Sequence, residues 1–273
     1  MIVNLYPKKE FKVPIFAECI NPEIFEDKTL NEIAELEVWE GNKRKKLGEF
    51  FKIEEVKAET EEPTITLYGD LSRIKRIGAK MRRGIIKIQG DIGMHLGEEM
   101  EGGKIVVRGN VDSWAGSMMK GGIIEIYGNA SHYLGAPYRG STVGMRGGRI
   151  IVHGNAGNEV GAYMRKGIIK VYGNVGQFVG LRMRKGTIFV AGDAEGRMGA
   201  CMKGGKIIVC GHVDSILPSF TIENVKGKVK VEADEIAQGP FYLFLGDLTE
   251  NGMGKLYVSK EKNPHLGFYE KYL

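Results

Sequence analysis

Between Gly78 and Gly211 one pattern is written seven times: Gly, two residues, Met, two residues, Gly, then any residue, an aliphatic, any residue, an aliphatic, any residue and a closing Gly. The Met column is Met81, Met100, Met119, Met145, Met164, Met183 and Met202, and the closing column is Gly90, Gly109, Gly128, Gly154, Gly173, Gly192 and Gly211. Copies are spaced 19 residues apart, except that Met119 and Met145 are 26 apart, an interval carrying seven extra residues. A repeat this regular constrains the fold more than any short motif inside it.

Each copy reads as a strand too short to fold alone. Its two aliphatics, such as Ile86 and Ile88 or Ile169 and Val171, alternate with other residues, the period of a strand with one buried face. The closing Gly is followed by Asp91, Asn110, Asn129, Asn155, Asn174, Asp193 or His212 and then by an apolar residue. Gly followed by Asn or Asp is turn chemistry, and the polar side chain is expected to bond its own backbone. Stacking equivalent strands at about 4.8 Å turns the matched columns into interior ladders. The expected fold is all-β, a right-handed single-stranded parallel β-helix, or solenoid, of 19-residue coils. A β-propeller needs roughly 40 residues per blade, and collagen needs Gly at every third position.

Three segments follow from the period. Residues 1–62 lack it and read as a small N-terminal cap, with strand-like stretches at 12–16 and 35–39, short helix starts after Asn21 and Lys28, and a hairpin tip at 42–46. Residues 63–211 form the regular β-helix, opened by a degenerate copy at Thr64–Gly69, with repeats at 78–90, 97–109, 116–128, 142–154, 161–173, 180–192 and 199–211. The fourth repeat has Thr142 where the others have Gly, and the extra residues read as a loop over 135–144. Residues 212–273 read as irregular coils and a C-terminal cap. There, Gly227–Val231 and Gly254–Val258 look like two further coils, the apolar stretch 236–245 either covers the end of the core or engages a partner, and 263–273 reads as an extended arm.

The search for chemistry comes back empty, so the expectation is no catalytic, cofactor-binding or metal-binding residue. His95, His132, His153, His212 and His265 form no zinc-ligand spacing. Cys19, Cys201 and Cys210 form no Cys-x-x-Cys pair and fit reduced thiols. Gly173–Gly180 resembles a phosphate loop only in its glycines, and the outer middle column Lys87, Val106, Glu125, Ile151, Lys170, Phe189, Ile208 offers no carboxylate pair. No apolar run is long enough for a membrane helix and the first residues lack a signal-peptide shape, so a cytoplasmic protein without membrane contact is expected.

Two surface features point to contact with protein. Arg82, Arg83, Lys120, Arg146, Arg165, Lys166, Arg184, Lys185 and Lys203 follow the Met column and predict a positive ridge, either a solvated edge or a dock for an acidic partner. Nucleic acid is not expected, because no stacking aromatics are interleaved there. Of twenty-one outward strand positions, eleven are apolar or aromatic, among them Ile85, Val106, Tyr127, Tyr172, Phe189 and Ile208, which predicts a face buried against another subunit.

The seven repeats with their single insertion resemble the repeat region of the C-type subunit of archaeal formylmethanofuran dehydrogenase, over about residues 63–260. That protein is in turn similar to the C-terminal β-helix domain of the glutamate synthase large subunit. The resemblance implies a structural subunit of a cytoplasmic oxidoreductase complex that reduces CO2 with methanofuran to formylmethanofuran, using reduced ferredoxin, in the first step of methanogenesis. It further implies partners that carry the cofactors: a molybdenum- or tungsten-pterin catalytic subunit, a metal-dependent amidohydrolase-like subunit, and ferredoxin-type subunits with iron-sulfur clusters. A stand-alone glutamate synthase β-helix subunit is the alternative.

Overall fold

The computed structural model describes residues 1–56 and 61–273. In chain order the elements are β1 (Ile2–Pro7), β2 (Ile15–Phe16), α1 (Pro22–Phe25), α2 (Leu30–Ala34), β3 (Glu37–Glu40), β4 (Lys43–Lys46), α3 (Leu47–Phe50), β5 (Phe51–Val56), β6 (Thr64–Tyr68) and β7 (Ile74–Lys75). Then come the repeat strands β8 (Ile85–Gln89), β9 (Lys104–Val107), β10 (Ile123–Ile126), β11 (Arg149–Val152), β12 (Ile168–Val171), β13 (Thr187–Val190) and β14 (Lys206–Val209). The chain continues with β15 (Thr221–Glu232), β16 (Glu235–Gly246), a short 3-10 turn, β17 (Gly254–Ser259) and a 3-10 helix over Pro264–Tyr272. The fold is all-β, with one large, mostly parallel sheet of 13 strands in the order β15-β16-β17-β14-β13-β12-β11-β10-β9-β8-β6-β1-β5.

The repeats pair without slippage: Ile105 lies opposite Ile86 and Ile124, and Ile207 opposite Ile188 and Leu256. A one-residue slip would turn every aliphatic outward, so the alternation itself holds the register. A second ladder of single bridges joins Leu71, Ile92, Val111, Ala130, Ala156, Val175, Ala194 and Val213, the apolar residues after the Asn/Asp column. A third runs along the glycine amides, with Gly97 N donating to Ile77 O, Gly116 N to Leu96 O and Gly180 N to Val160 O, each at 2.8–2.9 Å. Strand aliphatics, bridge residues and methionines pack in one core, where Met81, Ile86, Met164 and Ile169 are all fully buried. Each such side chain contributes on the order of 1.5–3 kcal/mol.

The glycines of the pattern are demanded by this packing. At Gly122 (φ +81°) a Cβ would lie 2.7 Å from Cε of Met100, so the methionine of one repeat rests on the glycine of the next. The seven extra residues do not cost the fourth repeat its first glycine. Gly135 (φ +68°) occupies that place, its N donating to Ala115 O at 2.9 Å, and a Cβ there would meet Ile169 Cδ1 at 2.8 Å. Thr142 is therefore part of the loop and not the fourth copy's turn residue.

The Asn/Asp column works across repeats, contrary to the expectation that each side chain bonds its own backbone. Asp91 Oδ1 accepts from Asn110 N (2.7 Å), Asn110 Oδ1 from Asn129 N (2.9 Å), and so on through Asn129, Asn155, Asn174 and Asp193, whose Oδ1 accepts from His212 N (2.7 Å). These turns are set so close that the short side chain reaches the next amide before its own. One position further on, Asn263, fully buried, accepts from Val213 N (2.8 Å) and donates to Gly211 O (3.0 Å) and Ser259 O (2.8 Å). The C-terminal segment is thus tied down as a 3-10 helix and is not an extended arm.

Both flanks add strands to the large sheet. At the N-terminal end β1 lies parallel to β6 and antiparallel to β5. The helix starts are capped as the sequence suggests: Asn21 accepts from Glu23 N, and Thr29 and Glu32 form a capping box. The turn at Gly41–Asn42 joins β3 to β4, so 43–46 is the returning strand and not the tip. At the C-terminal end β17 continues the parallel series beside β14, as the sequence predicts, but 227–231 does not. It belongs to β15, paired antiparallel with β16, with register shifts at Ile222/Asn224, Lys226/Lys228 and Lys230/Glu232. Such bulges bend a hairpin. Its base extends the sheet, where Tyr242 and Phe244 join the main core, while Val229, Val231 and Ala237 join a second cluster with Phe189, Ile208 and Tyr257 on the outer face.

Candidate functional site

The outer face of the large sheet splits in two. Toward the C-terminal end the hairpin roofs it: Phe189 is 8% exposed, Ile208 is fully buried, and Ala191 and Cys210 pack against the same cluster. The expectation that this face is covered by another subunit is corrected there, since the chain covers itself. Beneath the roof Lys170 is 5% exposed and bonded to both Glu232 and Glu235, and Arg149 Nη2 donates to Glu232 at 2.5 Å. Burial alone would lower the Lys170 amine, but its bonds to Glu232 and Glu235 outweigh this and raise it. Glu232 is held below the usual carboxylate range, first by Lys170.

Toward the N-terminal end the same columns face solvent. Lys87 is exposed, while Val106, Glu125 and Ile151 are half-buried. Glu125 accepts from Lys104 (3.1 Å) and contacts His153 Nε2 (3.2 Å). Tyr127, His153 and Tyr172 stack in series with centroids 4.5 and 5.6 Å apart, and the Arg108 guanidinium lies 3.9 Å from the Tyr127 ring centre.

The predicted basic ridge is present, and it changes character along its length. In the early repeats it is interleaved with acids: Arg82 pairs with Glu101 (3.4 Å), Lys120 with Glu101 (2.7 Å) and Arg83 with Glu26. From Arg146 onward, among the described residues, the ion pair of Lys203 with Glu250 (3.4 Å) is the one the row makes. Arg165 instead donates to the carbonyl of Thr142 (3.2 Å) in the inserted loop. Arg165, Arg182, Arg184 and Lys203 line a hollow of about 250 Å³ with Thr142, Tyr163, Cys201 and one carboxylate, Glu250.

On the other side of the inserted loop lies an aromatic stack that the sequence reading missed. His95, Trp114 and Tyr133 stack face to face at 5.4 and 4.6 Å, and Tyr138 of the loop packs edge-on against His95 (4.8 Å) and Trp114 (5.8 Å). The signal was available, since each of the three stands five residues after a closing Gly. All three adopt left-handed backbone, φ 63–64°. Arg76 pairs with Glu98 (2.9 Å), which lies 3.5 Å from His95 Nδ1. Burial, then the Arg76 and Lys75 charges, pushes His95 down to about 4, while burial raises Glu98. His95 is neutral at physiological pH and serves as an aromatic plate.

The three cysteines are unpaired, and burial pushes the Cys19 and Cys210 thiols up to about 12 and about 11, away from thiolate chemistry. A hollow of about 760 Å³ between Lys8–Lys12 and Gly69–Arg73 is an open basin whose charged side chains face solvent. Among the described residues no three His, Cys, Asp or Glu side chains gather as a metal site, and no helix is long and apolar enough to cross a membrane. What the surface offers is docking: stacked rings, a roofed sheet, and a basic row from Arg146 onward in which, among the described residues, Glu250 is the one carboxylate paired.

No family model matches the chain. It is similar to the C-type subunit of the molybdenum-containing formylmethanofuran dehydrogenase 1 of Methanothermobacter marburgensis, 46% identical over 93 residues, which cover 34% of this chain and 23% of the relative. It is also similar to the C-type subunit of the tungsten-containing formylmethanofuran dehydrogenase 2 of Methanothermobacter wolfeii, 40% identical over 96 residues, covering 35% of this chain and 36% of the relative. The matched stretches thus span between about a quarter and about a third of these relatives' length. Among solved structures, a chain of the formyltransferase/hydrolase complex of Methylorubrum extorquens, crystallised with methylofuran, superposes with a TM-score of 0.83 at 27% identity, covering 94% of this chain and 99% of that one. The resemblance to the C-type subunit of formylmethanofuran dehydrogenase read from the seven repeats is borne out.

Proposed function

We propose that this chain is a structural, non-catalytic subunit of a formylmethanofuran dehydrogenase complex. In this reading the complex reduces CO2 with methanofuran, and the pterin, iron-sulfur and amidohydrolase chemistry belongs to partner chains. The observation that carries it is the superposition along nearly the whole length on a chain of a related complex of several proteins. Its support is that buried polar groups are spent on packing: Lys170 on the hairpin, His95 on a ring stack, Asn263 on the last repeat.

The architecture suits such a role. We read the seven repeats as turns of a right-handed solenoid, supported by three separate ladders of contact between each repeat and the next. Residues 1–62 and 212–273 then close its two ends. Many small inter-repeat contacts give a stiff body with long sides, which is what a chain that orients others needs.

Native purification on an affinity tag on this chain tests the reading. The expected result is co-purification of a molybdenum- or tungsten-containing pterin chain and an amidohydrolase-like chain. Recovery with a flavin-containing glutamate synthase chain, or formylmethanofuran oxidation by this chain alone, would overturn it.

A further inference from the structure

The row Arg146, Arg165, Arg184 and Lys203 occupies one position of four successive repeats, directly after the Met column. The same position earlier in the chain reads Arg82, Glu101, Lys120, so that each charge there has a neighbour of opposite sign. From Arg146 this alternation stops. Strands in a sheet are about 4.8 Å apart, so the three arginines stand in file with like charge on like charge. Arg182, Lys166 and Lys185 add to the same edge, and none of them is in an ion pair among the described residues. Long side chains can splay in water, but here Arg165 is anchored to the Thr142 carbonyl and its buried Nε has no hydrogen-bond partner. Concentrating uncompensated cations costs stability, and a complementary anion would relieve it.

We propose that this row docks an extended acidic segment of a partner polypeptide, an inference that rests on the reading of the chain as a subunit. From Arg146 to Lys203 the row spans three repeat intervals, about 14 Å, the length of roughly four extended residues. The hollow of about 250 Å³ at Arg165 and Arg184 holds four cations to the one carboxylate of Glu250, which pairs with Lys203, and it admits one or two further carboxylates, which guanidinium groups bind as bidentate pairs. Nucleic acid fits less well. Single strands are held by stacking on open aromatic faces. Here Tyr163 has the Arg182 guanidinium 5.8 Å from its ring centre, and the rings of Trp114 and Tyr133 already lie against each other.

The test uses the natively purified complex and a zero-length carbodiimide, which joins lysine amines to carboxylates, followed by peptide mass spectrometry. Lys166 and Lys185, both exposed, should link to an Asp/Glu-rich stretch of a co-purified chain. The double variant R146E/R184E should cut that cross-link by about ten-fold and release the same chain at lower salt, because close charge pairs across an interface are lost. R146K/R184K, which keeps the charges and loses the bidentate pairing, should retain the cross-link and release the chain at a salt concentration between those of wild type and R146E/R184E, and the thermal unfolding of both variants shows whether the fold is intact. A complex recovered with all its chains, whose lysines stay unlinked and whose salt resistance is the same in R146E/R184E, overturns the docking site and leaves the subunit reading standing. A tagged chain that purifies alone removes both, and nuclease-sensitive nucleic acid bound to the row overturns the acidic-peptide assignment.

Discussion

The two ends of the outer sheet face carry the same repeat positions and meet different fates. Phe189 and Ile208 lie under the hairpin of β15 and β16, whereas Lys87 and Val106, in the same column, face outward. The period therefore determines which way a side chain points but not what it meets. What covers it comes from a segment outside the period. A column in a repeat protein is uniform on its inner side, where each repeat meets copies of itself, and free to differ on its outer side.

Three measurements put this contrast at risk. The largest effect is expected from Phe241→Ala, which empties the cluster under the roof and should lower unfolding free energy by about 3–5 kcal/mol, against under about 1 kcal/mol for Val106→Ala at the open end. Chemical denaturation of both variants measures it, and equal losses would mean that the roof adds no packing. Next is Lys170→Met, which leaves Glu232 with Arg149 and strands part of a carboxylate pair, for a loss of about 2–3 kcal/mol, where Lys87→Met should stay within about 0.5 kcal/mol. Because Glu232 is held below its ordinary range in the folded protein, its contribution is present above its unfolded value and lost as pH falls. Lys170→Met should therefore also flatten the acid limb of the stability profile.

The smallest effect concerns the early repeats. The folded value of His95, about 4, lies below the unfolded 6.5, so its contribution is complete above pH 6.5 and drains away as pH falls toward 4. Glu98, raised by burial, works in the opposite sense and offsets part of this. His95→Gln should therefore reduce the loss of stability between pH 6.5 and 4 by about 1–2 kcal/mol. Melting temperatures at the two pH values decide it, and an unchanged difference would show that His95 does not titrate on unfolding in that window.

How much of this the sequence discloses follows from how each feature is built. Met164, Ile169 and Val171 are legible because identical neighbours make identical demands, and the strand pairing of β8 to β14 comes with them. The contacts made by Asn110 are misread because a local turn and a bond to the next repeat use the same residue type, and only the spacing of the turns decides between them. Thr142 is misplaced because the pattern aligns on its Met, while the turn keeps Gly135 and the insertion opens after it. The bend of the hairpin depends on bulges, which have no periodic signature. Of the candidate surface, the basic column can be read directly. So can the end of its charge alternation after Lys120, whereas the partners Glu26 and Glu250 cannot, because they reach it from outside the repeat.

The bonds from Asp91 through Asp193 all point one way, each oxygen serving the amide that follows, so the stack has a head and a tail. After His212 the series passes to Asn263, whose Oδ1 accepts from the amide of Val213. The final segment thus spends one buried side chain on backbone groups that would otherwise stand open to a second copy of the chain.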